Sequence, residues 1–134
     1  MPVRCLIVDD NQDFLRAARE LLERDGISVV GVVSTGAQAN RACRELKPDI
    51  ALVDIQLGEE TGFEVARQVA GQASSQQTRV ILISTYSEDD FQDLIAASPA
   101  VSFLPKESLS GTAIRSILAR AGGSVAETPQ RDSR

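Results

Sequence analysis

Histidine is missing from this sequence altogether. That removes histidine-based catalytic triads, histidine-rich zinc sites and any role as a phosphohistidine carrier. If phosphoryl chemistry occurs on this chain, the donor histidine sits on another protein. Cysteine is scarce as well. Cys5 and Cys43 stand far apart with no metal-ligand spacing, so they read as reduced thiols packed as small hydrophobes. No apolar run approaches the length of a membrane span, and Met1-Pro2-Val3-Arg4 lacks the apolar stretch of a signal peptide. The expectation is a cytoplasmic protein with no membrane partner. A surplus of positive charge is lacking too: the net charge is −5 and the arginines are scattered, which argues against nucleic acid as a ligand of this chain.

What is present fits one domain, since 134 residues are enough for a sizeable core. Short continuous apolar runs alternate with longer helical periods. Val3 to Val8, Ile27 to Val33, Ile50 to Val53, Arg79 to Ile83 and Val101 to Leu104 read as five strands. Between them, Phe14, Leu15, Ala18, Leu21 and Leu22 mark a helix over 12–25 closed by Gly26, and a second runs over 35–46 to Lys47-Pro48. Phe63, Ala66, Val69 and Ala70 mark a helix over 61–71, Phe91, Leu94 and Ile95 a short one over 88–97, and Ala113, Ile114, Ile117, Leu118 and Ala121 a last one over 108–121. Continuous rather than alternating strands imply a parallel sheet covered on both faces. With right-handed crossovers the result is a doubly wound α/β fold over 1–121, followed by a loose tail over 122–134.

In such a sheet, ligands bind beyond the carboxyl ends of the strands. Asp9 and Asp10 follow the first strand, Asp54 the third, Ser84 and Thr85 the fourth, and Lys106 the fifth. Taken singly these are unremarkable, because an aspartate pair after a strand often caps the next helix. It is their co-occurrence at one end that points to chemistry. Three gathered carboxylates repel one another, and Lys106 supplies only one positive charge. A hard divalent ion with oxygen ligands completes the set, and Mg²⁺ combines one or two carboxylates with waters and phosphate oxygens. A carboxylate beside such an ion can act as a nucleophile and form an aspartyl phosphate.

These residues resemble the receiver domains of two-component response regulators. The resemblance is carried by Leu6-Ile7-Val8-Asp9-Asp10-Asn11, Pro48-Asp49-Ile50-Ala51-Leu52-Val53-Asp54-Ile55, Gly62-Phe63-Glu64, Val80-Ile81-Leu82-Ile83-Ser84 and Phe103-Leu104-Pro105-Lys106. It implies a flavodoxin-like (βα)5 fold with strand order 2-1-3-4-5. It further implies that Asp54 is the phosphoacceptor and that Mg²⁺ is held by Asp10, Asp54 and the Gln56 carbonyl, with Asp9 reaching the ion through water. Lys106 and Ser84 would meet phosphoryl oxygens. Phe103 would be the aromatic that turns inward when Ser84 moves, altering a surface made by the fourth helix, fifth strand and fifth helix; a plain core aromatic is the alternative. The implied partners are a sensor histidine kinase or phosphotransfer protein as donor, and a downstream effector or an output domain beyond this sequence as reader. Dimerisation on phosphorylation stays open, with Arg115 and Arg120 beside the apolar face of the last helix.

The chain departs from the commonest receiver pattern at Leu57-Gly58, at Thr85-Tyr86 and at Glu107 after the lysine. A bulky Thr85-Tyr86 pair beside the acceptor predicts a slowly hydrolysing acyl phosphate. The Val29 to Val33 strand with Thr35-Gly36-Ala37-Gln38-Ala39 resembles receivers that precede a helix-turn-helix domain, so both a stand-alone receiver and a segment of a longer regulator fit. A haloacid-dehalogenase-like phosphatase fits poorly, since it wants its two aspartates flanking one residue, whereas Asp9 and Asp10 are adjacent. A nucleotide or flavin cradle is excluded by the acidic, glycine-free turn Asp9-Asp10-Asn11. A receiver-like interaction module that works without phosphorylation remains the main alternative.

Overall fold

The computed structural model describes residues 2–72 and 78–126, the last five as helical backbone only. Five parallel strands, β1 (Arg4–Val8), β2 (Ser28–Val33), β3 (Ile50–Asp54), β4 (Arg79–Ser84) and β5 (Ser102–Pro105), form one sheet in the order 2-1-3-4-5. The helices between and after them are α1 (Gln12–Arg24), α2 (Gly36–Leu46), α3 (Gly62–Ala70), α4 (Gln92–Ala97) and α5 (Gly111–Ala126). This is the expected flavodoxin-like architecture.

Residue alternation along the buried strands separates two cores. Leu6, Val8, Ala51, Val53, Leu82 and Phe103 face α2 and α3, where Ala39, Cys43, Val65, Ala66 and Val69 meet them. Cys5, Ile7, Ile50, Leu52, Ile81 and Ile83 face α1 and α5, against Leu15, Ala18, Leu22, Ile114 and Ile117. The two cysteines therefore sit on opposite faces of the sheet. Burial pushes their thiols up to about 12 for Cys5 and about 11 for Cys43, which leaves both as neutral packing groups.

Helix starts follow from local side-chain capping. Asn11, Thr35 and Thr61 accept from the backbone N–H three residues on, at Phe14, Gln38 and Glu64. Gly26, at φ +88°, stops α1, and α2 ends where Lys47 turns left-handed (φ 47°) before Pro48.

Three stretches differ from the sequence reading. The segment after Asp54, to which the sequence assigns no element, is a short antiparallel ribbon, Gln56–Leu57 against Glu60–Thr61. The 88–97 helix is a 3₁₀ turn over Glu88–Phe91 followed by the six-residue α4. With so few residues, only Phe91 and Ile95, four apart, reach the core, and Leu94 stays 54% exposed. Finally, Lys106–Ser108 forms a 3₁₀ turn and α5 runs through Gly122 and Gly123 to Ala126. The part of the expected tail from 127 onward lies outside the described residues.

Candidate functional site

Parallel pairing brings all five strand ends to one side. The Asp9 amide still pairs with Val33 O (3.0 Å) and the Ile55 amide with Ile83 O (3.0 Å), so the backbone ladder holds the residues at the ends of β1 and β3. Asp9 is fully buried, Ser84 and Asp54 nearly so, while Asp10 is exposed. A tight crossing fixes the Asp54 end from behind. A Cβ on Gly62 would lie 2.3 Å from Asp54 O, so only glycine lets α3 begin against that carbonyl.

The charged groups converge. One carboxylate oxygen from each of Asp9, Asp10 and Asp54 lies within 4.8 Å of the others. Lys106 Nζ stands 2.6 Å from Asp9 Oδ2 and 3.2 Å from Asp54 Oδ2, and 4.3 Å above the centre of the Phe14 ring. The remaining oxygens accept from backbone: Asp9 Oδ1 from the Asn11 amide (2.9 Å) and Asp54 Oδ1 from the Gln56 amide (3.2 Å). Asp9 Oδ2 is buried and receives no hydrogen bond of good geometry; only the nearby ammonium balances it.

Burial raises the Asp54 carboxyl to about 6. The Gln56 amide works against this, the Asp9 charge adds to it, and Lys106 lowers it. Burial also disfavours the charged Lys106, but the Asp9 and Asp54 carboxylates outweigh it and hold the ammonium above its ordinary range. Three carboxylates against one ammonium leave negative charge unmatched. That surplus, on three carboxylate oxygens within 4.8 Å of one another, fits a hard cation with oxygen ligands.

Asp9, Asp54, Ser84 and Lys106 line a cleft of about 730 Å³, bounded by the Gly58–Thr61 ribbon on one side and by Thr85, Phe91 and Leu94 on the other. Ser84 Oγ accepts from the Tyr86 amide at 2.9 Å. Thr85 borders the cleft, whereas Tyr86 turns to meet Phe91 edge-on, ring centres 6.1 Å apart. Of the residues singled out by sequence, Asp9, Asp10, Asp54, Gln56, Ser84 and Lys106 all line this cleft. Phe103 does not: its side chain belongs to the core on the α2 and α3 side, 8% exposed. Sequence reasoning missed two contributors. Phe14 looked like any apolar helix position, although its place in the first turn of α1, just past Asp10, brings it beneath Lys106. Glu60, within an acidic doublet, carried no periodic signal, yet its carboxylate reaches the amide of Gly36.

Comparison with known proteins identifies the family and the fold. The family model for the response regulator receiver domain matches residues 5–128. A protein-glutamate methylesterase/protein-glutamine glutaminase of Alkalilimnicola ehrlichii is 34% identical over 79% of this chain and 27% of its own length. The response regulator GacA of Pseudomonas viridiflava is 31% identical over 78% of this chain and 48% of its own. The chain thus spans about half or less of these two relatives. Among solved structures, the signal receiver domain of the putative response regulator NarL from Mycobacterium tuberculosis is 30% identical, with a TM-score of 0.76 over 91% of this chain and 98% of that one.

Proposed function

The chain belongs to the response-regulator receiver family, and from that premise we propose that it accepts a phosphoryl group on Asp54 and relays the event through a change of surface. The observation that carries the reading is the buried Asp54 carboxylate, 3.2 Å from Lys106 and clustered with Asp9 and Asp10 at the floor of an open cleft. An Asp54 carboxylate oxygen attacks phosphorus of a phosphohistidine. The P–O bond forms as the P–N bond breaks, and the imidazole leaves with its electron pair. The donor is a sensor histidine kinase or a phosphotransfer protein, since this chain has no histidine of its own.

Each neighbour has a role that its placement suits. Lys106, a compact cation already held between two carboxylates, meets a phosphoryl oxygen. Ser84 offers its hydroxyl to a second. Asp10, Asp54 and the Gln56 carbonyl would hold Mg²⁺, with Asp9 acting through water. When bound there, the ion neutralises charge on the transferring group. The chain is thus a signalling domain whose only chemistry is on itself. No helix among the described residues is long and apolar enough to cross a membrane, and the cytoplasm, where kinase donors act, is its proposed location.

The relay step uses Ser84. Its Oγ now accepts from the Tyr86 amide; turning the side chain so that its O–H donates to a phosphoryl oxygen on Asp54 carries Oγ away from that amide, releases the Thr85–Tyr86 turn, and lets Phe103, already packed in the core, shift toward the vacated space. The population shifts to a different α4, β5 and α5 surface, read by an effector or by an output domain in a longer chain. The test is incubation with Mg²⁺ and a small acyl phosphate, read by intact mass. A phosphoryl-sized gain that disappears in Asp54→Asn and with chelator is expected. No gain, together with no binding of a beryllofluoride analogue, would leave the phosphorylation-independent interaction module in its place.

A further inference from the structure

We propose that Glu60 is a positioning residue, which staples the cation-facing ribbon to the start of α2 and so fixes where Gln56 stands. Its bearing on Mg²⁺ rests on the receiver reading above; the staple itself does not.

The ribbon needs an anchor. Gln56 faces Thr61 and Leu57 faces Glu60 across a ladder two residues long, turned at Gly58 with φ +62°. So short a hairpin is marginal in water, and glycine adds freedom to its unfolded state. The Gln56–Leu57 side is pinned by the buried Leu57, and the base of the ribbon is tied across both strands by the Gly62 amide donating to Ile55 O at 2.7 Å. On the other side both carboxylate oxygens of Glu60 lie within reach of the Gly36 amide, at 3.2 and 3.1 Å.

Gly36 is the first residue of α2, so its N–H has no partner within the helix, and negative charge is favoured there. The match is steric as well. A Cβ on Gly36 would stand 2.3 Å from Glu60 Oε1 and 3.0 Å from a Val65 methyl. A side chain at 36 therefore displaces the end of Glu60 and opens the staple without altering any charge. Gln56 and Glu60 both border the cleft on the same ribbon. Losing the anchor at Glu60 loosens the backbone that presents the Gln56 carbonyl.

Three variants separate position from charge. Gly36→Ala keeps the Glu60 charge and breaks the contact; Glu60→Gln keeps an acceptor and removes the charge; Glu60→Ala removes both. In metal-free protein, amide exchange across the ribbon should speed up roughly fivefold in Gly36→Ala and Glu60→Ala, the worth of one ordinary hydrogen bond at an exposed side chain, and less than about twofold in Glu60→Gln. Calorimetric Mg²⁺ affinity should fall by about the same factor in Gly36→Ala, although no charge has changed. Wild-type exchange and affinity in Gly36→Ala, with weakening confined to the Glu60 variants, would reduce Glu60 to a remote charge and overturn the proposal. Should Gly36→Ala fail to fold, Glu60→Ala with rescue by Glu60→Gln decides the same question. A wild-type chain that takes up no Mg²⁺ would sink the functional reading, while the metal-free exchange still decides the staple.

Discussion

The two ends of the same parallel sheet handle polar groups in opposite ways. Where the strands begin, polar side chains close on backbone. Asp49 Oδ2 accepts from the Arg4 amide at 2.8 Å, Arg4 donates to Lys47 O at 2.9 Å, and the buried Thr78 hydroxyl donates to Pro48 O at 2.7 Å. These contacts are complete within the chain. Where the strands end, the buried Asp9 Oδ2 is met by the Lys106 ammonium at 2.6 Å, and Asp54 is held with a raised pKa of about 6 beside that second buried carboxylate. One lysine serves both acids. A fold selected only for stability would not keep that arrangement, because buried charge lacking full compensation is destabilising. The contrast assigns one end to holding the sheet together and the other to holding something that arrives.

Substitutions at the two ends should therefore differ in size, in sign and in their response to Mg²⁺. The largest effect is expected from Lys106→Ala. It strands the buried Asp9 carboxylate and should cost about 2–3 kcal/mol in urea denaturation with chelator present, a loss that Mg²⁺ partly restores. Asp54→Asn should go the other way. Since the folded-state pKa of Asp54 is raised, its contribution to stability is present below about pH 4 and lost as pH rises through about 6. At pH 7.5 the asparagine variant should be the more stable by on the order of 1–2 kcal/mol, allowing for solvent screening at the open cleft, with the gap closing as pH falls from 6 to 4. At the opposite end, Thr78→Val should cost about 1 kcal/mol by leaving Pro48 O unmet, with no change in Mg²⁺ response. Smallest is Phe14→Leu, which removes the ring beneath Lys106 and should cost about 0.5–1 kcal/mol, with a modest fall in phosphorylation rate. Equal Mg²⁺ responses in Thr78→Val and Lys106→Ala would erase the distinction between the ends.

Much of this is legible in the sequence alone, for physical reasons. Strands buried on both faces have to be continuously apolar, so Ile50–Val53 and Arg79–Ile83 announced the sheet centre. Parallel topology then forces whatever follows each strand to one end, which is why Asp9, Asp10, Asp54, Ser84 and Lys106 could be placed together from their positions alone. The features that escaped have no periodicity to display. A two-residue strand such as Glu60–Thr61 is shorter than any repeat, and its anchor at Gly36 lies across the β3 loop in another helix. Leu94 fits a helical pattern, but α4 is too short to turn it toward the core. Nor did Gly122-Gly123 stop α5, where paired glycines would ordinarily mark an end. Phe14 was legible as apolar and illegible as the ring under a cation, since that contact joins elements far apart in sequence.

The most direct test of the contrast between the two ends is urea unfolding of the wild-type chain at pH 7.5, with chelator and with Mg²⁺ at about a hundred times its dissociation constant, alongside Asp9→Asn. If the strand-end charges are kept for a cation, Mg²⁺ should stabilise the wild type by about 2.7 kcal/mol and the variant, which loses a partner acting through water worth roughly ten- to hundredfold in affinity, by only about 0.4–1.4 kcal/mol. An equal shift in both proteins, or none in the wild type, would contradict it.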